Sequence, residues 1–159
     1  MEAGTAFETE RGISSVQVSH GHALVVVTGI EEAALGARRL DAVRLLAEAE
    51  ISIDFLKLSL DGFSLVVPQD KGTAVRDLLC DAGFDARVLT DRAILTVNAV
   101  NIRDEAGMVA RIAQTVVQAG AAIESLGDMH SSVLLVVDSE SAECAADGLK
   151  KLIMNGGGA

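Results

Sequence analysis

The chain says the same thing twice, at a fixed offset of 70 residues. "ALVVV" (23–27) stands over "AILTV" (93–97), and "LVV" (65–67) over "LVV" (135–137). Single positions agree as well: Val18 with Val88, Ala49 with Ala119, Ile53 with Ile123, Asp77 with Asp147 and Leu79 with Leu149. The stretches "ISIDFLKLSLDGFSLVVPQD" (51–70) and "AAIESLGDMHSSVLLVVDSE" (121–140) follow one script. Each has an isoleucine followed by an acid (Asp54, Glu124), then a polar turn and a burst of aliphatics. A gapless repeat of this length is the mark of one supersecondary unit built twice. The two copies run from about 13 to 83 and from 84 to 153.

Each copy carries the same pattern. "ISSVQVS" (13–19) alternates as a strand does, and "ARVLT" (86–90) is its counterpart. The β-branched runs "ALVVVTG" and "AILTVNA" predict buried strands. A helix follows at 37–49, with Leu40, Val43, Leu46 and Ala47 expected on its inner face. Its copy at 107–119 places Val109, Ile112, Ala113, Val116 and Val117 likewise. A strand pair comes next, 51–59 and 63–68 around "LDG", repeated as 121–126 and 132–138 around "MHS"; Asp-Gly is a hairpin signal. A second helix closes each copy, at 71–82 with Val75, Leu78 and Leu79 inward, and at 141–153.

The order is therefore ββαββα. Rotated by one strand it becomes βαββαβ, the ferredoxin-like order. The fold class expected is α+β: two interlocked ferredoxin-like units, antiparallel sheets with helices on one face. The first unit spans 20–92 and is closed by 86–90. The second spans 93–153 and is completed by the N-terminal strand 13–18. Residues 1–10 and 154–159 are expected to be flexible.

Composition narrows the function. Half of the residues are hydrophobic and only 3% are aromatic, with no Tyr or Trp. That weakens base stacking as a mode of binding. A net charge of −10 argues against a nucleic-acid or anionic-membrane partner. The N-terminus lacks an apolar signal core and no apolar run has the length of a membrane span, so a cytoplasmic location is expected. Cys80 and Cys144 are isolated and read as ordinary helix residues. His20-Gly21-His22 reads as a turn between the first two strands, without the companions a metal needs. No nucleophile constellation, P-loop or GxGxxG is present, so neither cofactor nor metal is expected.

Several stretches carry a family resemblance. "ERGISSVQVSHGHALVVVTG", "AEAEISIDFLKLS", "LLCDAGFDARVLTDRAILTVNAVNIRDEAGMVARI" and "IESLGDMHSSVLLVV" together resemble a tandem pair of ACT domains. More closely, the chain is similar to the C-terminal regulatory half of an aspartokinase, and Asp128-x-His130 resembles the single-chain, diaminopimelate-responsive type. The resemblance spans roughly 10–153. Two features depart from it. No "KFGG"-type opening of a kinase half is present, and the first loop reads "GIEEAALGARR" (29–39) where the family has Asp-x-Pro-Gly.

The resemblance implies a regulatory, non-catalytic protein that senses lysine, threonine or diaminopimelate, dimerises through its ACT units and acts on a kinase carried by another polypeptide. An amino-acid effector needs N–H donors for its carboxylate, which a loop entering a helix supplies at 30–37 and 101–108. It needs an acid or carbonyls for its ammonium. The implied effector-binding residues are Asp54, Gly107, Met108, Ala122, Ile123, Glu124 and Asp128. Two other readings stay open. One is a degenerate ACT pair kept for assembly, with Lys57 and Leu58 following the first copy's acid. The other is an acylphosphatase-like enzyme drawing on Arg38 or Arg39.

Overall fold

The structure is a computed structural model that describes residues 12–100, 102 and 106–155; of the flexibility expected of 1–10 and 154–159, all but 154 and 155 falls outside these residues, and those two continue the last helix. Strand β1 (Gly12–Thr28) leads through a short 3-10 turn (Glu32–Ala34) into α1 (Leu35–Glu48). The hairpin β2 (Phe55–Ser59) and β3 (Gly62–Pro68) precedes α2 (Gln69–Asp81). The second half repeats this order with β4 (Asp85–Val100), α3 (Met108–Gln118), β5 (Ile123–Asp128), β6 (Ser132–Asp138) and α4 (Ser139–Asn155). All six strands form one antiparallel sheet in the order β2-β3-β1-β4-β6-β5.

One expectation is corrected at once. His20-Gly21-His22 is not a turn between two strands; β1 runs through it unbroken. The left-handed Gly21 (φ 79°) kinks the strand without reversing it, and the register of β1 against β4 shifts on either side of His22. Asp91, the repeat equivalent of Gly21, is left-handed too (φ 55°) and sits at the same place in β4. Local sequence suggested a turn because glycine between polar residues is usually one. Tertiary pairing overrides it, since His22 has a partner on both sides, Pro68 in β3 and Arg92 in β4.

The two long strands interlock the copies. The first half of β1 (12–19) pairs with 94–100 of β4, which on its other edge pairs with β6. The second half of β1 (24–28) pairs with 85–89 of β4 and also with β3. Each half of the sheet thus takes one strand segment from the other copy, which is the strand arrangement of two interlocked βαββαβ units.

The helices cover one face. Under α1 and α2 lie Ala23, Val25, Val27, Phe63, Leu65 and Val67, with Leu46, Val75 and Leu79 descending on them. Under α3 and α4 lie Ala93, Leu95, Val97, Val133, Leu135 and Val137, met by Met108, Ile112, Val116 and Leu149. Each fully buried aliphatic side chain contributes about 1.5–3 kcal/mol. The inner face of α1 is rotated from the sequence expectation: Ala42 and Leu46 are buried, while Leu40 and Val43 stay 49% and 39% exposed. The same rotation leaves Val117 of α3 on the outside. Ala42 was overlooked because a small residue adds little to an apolar stripe, yet it lets the helix approach the sheet closely.

The opposite face has its own small core of Leu24, Val66, Ile94 and Val136. Two contacts bring the edge strands together across it. The ring of Phe55 in β2 lies against Gly127 in β5, where an added Cβ would come within 2.9 Å of it. The Lys57 ammonium donates to the Leu126 carbonyl. The coiling natural to a twisted sheet thereby closes this face at its centre.

Two outcomes follow from these contacts. A Cβ at Gly62 would lie 1.9 Å from the Val27 carbonyl oxygen, a backbone atom that cannot step aside. Gly62→Ala is expected to lower stability by about 2 kcal/mol or more, seen as a lower urea midpoint with an unchanged slope. Asp138, just before α4, accepts from the N–H of Ser141 (2.9 Å) and of Ala122 (3.2 Å). The Ser141 side chain and these N–H groups hold its carboxyl below its ordinary value of 3.8. The folded state therefore binds this proton less readily than the unfolded chain. The contribution is full above 3.8 and disappears as pH falls through the lowered folded value. Acid titration of the urea midpoint is expected to be flatter in Asp138→Asn below pH about 4 than in the parent chain.

Candidate functional site

The repeat places a basic residue opposite an acid in both copies. Residues 54 and 124 occupy equivalent positions, as do 22 and 92. In the first copy the Asp54 N–H donates to the carbonyl of Val66, the residue that Phe55 also faces, so two residues oppose one. In the second, the register between β5 and β6 shifts between Ile123 and Ser125, which makes Glu124 the extra residue. A bulge of this kind re-aims a side chain. Here it turns each acid toward the middle of the sheet.

There the acids meet their partners. Asp54 Oδ2 lies 3.0 Å from His22 Nδ1, and His22 Nε2 lies 2.8 Å from the Ser19 hydroxyl. With the proton on Nδ1 donated to the carboxylate, Nε2 is left to accept from Ser19. Glu124 Oε1 lies 3.6 Å from Arg92 Nη2. Arg92 Nη1 reaches the Asp91 carbonyl at 3.3 Å, whereas its Nε is buried without a partner. Ser125, next to Glu124, is also buried, with its hydroxyl unpaired. The first pair is fully bonded and the second is loose.

The other sequence-derived residues have different surroundings. Ile123 begins β5 and packs partly against the second core. The Ala122 N–H is occupied by Asp138. Gly107 is left-handed (φ 84°) at the head of α3, and its carbonyl accepts from the N–H of Arg111 at 2.9 Å. Met108 is buried in the second core. Asp128 stands exposed at the far end of β5, about 13 Å along the strand from Glu124. Residues 101 and 103–105, most of the second loop, lie outside the described residues.

The first loop, whose junction with the helix at 30–37 the sequence singles out as a source of N–H donors, carries a cleft. It measures about 250 Å³ and is lined by Thr28, Gly29, Ile30, Glu31, Ala34, Arg38, Gly83, Phe84 and Asp85. The loop is pinned from below: the Gly29 N–H donates to the Asp61 carboxylate (3.0 Å) and the Ile30 N–H to the Asp61 carbonyl (2.8 Å). The Arg38 guanidinium lies 3.8 Å over the Phe84 ring and donates to the Ala82 carbonyl. Arg39 donates to the carbonyls of Gly62 and Ser59. Both arginines are thus engaged with the fold's own carbonyls, which gives no support to an anion-handling role. Gly29 and Gly83 line the cleft too, with left-handed backbones (φ 74° and 82°).

Among the described residues no group of three or more His, Cys, Asp or Glu is placed to hold a metal ion. No described helix is long and apolar enough to cross a membrane.

Comparison with known proteins finds the fold among solved structures. No family model and no curated protein sequence matches the chain. Solved structures do. The regulatory subunit of aspartate kinase from Thermus flavus is 19% identical, with a TM-score of 0.80, over 90% of this chain and 99% of that one. A structure of aspartokinase alpha and beta subunits matches at 17% identity and a TM-score of 0.80, over 90% of this chain and 99% of that one. E. coli aspartokinase III, solved with aspartate and ADP, matches at 15% identity and a TM-score of 0.76, over 92% of this chain but 35% of its own. The chain has the fold seen in these aspartate kinase regulatory subunits: two interlocked ferredoxin-like units in one antiparallel sheet with helices on one face.

Proposed function

We propose that this chain is an amino-acid-sensing regulatory ACT pair of an aspartate-kinase system, without catalytic activity of its own. It would bind a product of the aspartate family, lysine, threonine or diaminopimelate, and self-associate through its ACT units. The phosphoryl-transfer machinery would reside on a separate kinase subunit. The observation that carries this reading is the match over nearly the full length of the Thermus flavus regulatory subunit, 99% of that chain. A shared fold is an analogy and not a site. The site-level support is the paired acids, Asp54 and Glu124, at repeat-equivalent bulges. Self-association is favoured by the unpaired edge of β2, where Leu56 and Leu58 are 43% and 57% exposed, and by Leu60 in the turn that follows, 97% exposed. The equivalent positions of the second copy hold Leu126, Asp128 and His130. An effector shifts a kinase only through unequal affinity for its two states.

A second reading has an observation in its favour. Asp54, Glu124 and the Ala122 N–H, three groups an effector would use, already have partners within the chain. A degenerate ACT pair acting purely in assembly fits that satisfaction.

Calorimetric titration with lysine, threonine and diaminopimelate, paired with light scattering, separates the two. The sensing reading expects heat with one of them. At ten times its Kd that ligand adds about 1.4 kcal/mol and raises Tm by about 3–6 °C. Glu124→Gln or Asp54→Asn is expected to weaken it roughly 10–100-fold if the acid takes the ammonium. Silence at millimolar concentration of all three, with a dimer that forms regardless, leaves assembly as the function.

A further inference from the structure

We propose that Asp54, His22, Arg92 and Glu124 form a single coupling element through which each ACT unit senses the state of the acid in the other. The two acid–base pairs are equivalent under the repeat, but they are not separate. His22 and Arg92 are direct partners in the β1–β4 ladder. Residues so opposed share a face, with Cβ atoms about 4.5–5.5 Å apart. The four groups therefore alternate acid, base, base, acid in one continuous row: Asp54 to His22 at 3.0 Å, His22 beside Arg92, Arg92 to Glu124 at 3.6 Å.

The row lies on the closed side of the sheet. Arg92 is two residues from Ile94, so the pleat points both the same way, and Ile94 belongs to the cluster with Leu24, Val66 and Val136. His22 and Arg92 have 12% and 17% of their side chains exposed, and Asp54 and Glu124 34% and 29%. Charge interactions in such surroundings are less screened than at the surface. The same face is where Phe55 meets Gly127 and Lys57 meets the Leu126 carbonyl. The strands that follow the two acids are thus joined mechanically as well as electrically.

The row is not equally firm along its length, and that gives it something to respond with. His22 uses both ring nitrogens. Arg92 holds Glu124 at a distance beyond hydrogen bonding and keeps one buried N–H without a partner. A planar guanidinium with an unused donor has a second arrangement within reach. Removing the charge at Asp54 weakens its hold on His22, an amide oxygen being a poorer acceptor than a carboxylate, and changes the field at Arg92, so the Arg92–Glu124 contact re-forms differently. The regulatory meaning rests on the reading of the two acids as sensing positions: a ligand capturing one of them would register in the other unit. The coupling itself needs no ligand.

Amide hydrogen exchange on the full chain, read by NMR with no amino acid added, tests it. In Asp54→Asn the amides of 123–126 are expected to exchange at least threefold faster than in the parent chain, alongside the local change at 22–24 and 54–56. In Asp61→Asn, which unties the Gly29 N–H in the same unit, 123–126 are expected to keep their rates, which excludes general loosening. His22→Gln is expected to reproduce Asp54→Asn and serves in its place if that variant does not fold. Exchange confined to the first unit in both variants, or an equal change at 123–126 in Asp61→Asn, overturns the proposal. Because no effector is present, failure here is distinct from failure of the titrations.

Discussion

Everything in this molecule hangs on the pairing of β1 with β4 along almost their full length. Two units with separate sheets would each end at a strand, leaving a row of unpaired backbone groups between them. Passing both long strands through both units removes that seam. Folding one unit then requires a strand from the other copy, so neither half has a complete sheet alone. The hinge-like kinks at Gly21 and Asp91 allow this. Each long strand must change its helix-covered partner midway, and a left-handed residue lets it bend without breaking the ladder. Asp91 bears the strain of that backbone as a non-glycine, and its backbone N–H and side chain are both bonded to the Gln69 side chain.

The same crossing gathers polar chemistry at its centre. Beside the kinks stand His22 and Arg92, and the two bulged acids lean in to meet them. The two bases are mostly covered while the acids keep about a third of their side chains in solvent, so each pair sits at the boundary of the core, where an opposite charge offsets the lost hydration of the base. The repeat does this twice with different chemistry: a histidine with two good bonds in one copy, an arginine with looser ones in the other. Duplication sets the positions, and divergence afterwards makes the two ends unequal in strength.

Divergence also separates the outer edges. Lys57 of the first copy crosses the closed face to the Leu126 carbonyl, while Leu56 and Leu58 of β2 and Leu60 of the following turn stay out in solvent. The second copy ends its edge with Asp128 and the exposed Met129 and His130. One edge is thus aliphatic and the other mixed and polar, in a chain that carries ten net negative charges. The aliphatic edge is the one on which association would bury apolar surface without bringing carboxylates together.

Much of this was legible in the chain. Periodicity set the number, type and order of the elements, because burial in a two-layer fold imposes one period on a strand and another on a helix. The fixed offset of 70 residues established the duplication, and from it the interlocked arrangement and the equivalence of Asp54 with Glu124. Legibility ended where a residue's meaning depends on what comes near it from elsewhere. His20-Gly21-His22 looks like a turn until β3 and β4 flank it. Leu40 and Val43 look like core until Ala42 lets the helix settle on its other side. Asp54 and Glu124 look like free acids until His22 and Arg92 arrive from strands about 30 residues away in sequence. The sequence alone determined the elements and their duplication, because those follow from local patterns repeated in order. Only the tertiary structure decided which charges meet, since a contact between side chains distant along the chain is made by the register of the strands that carry them.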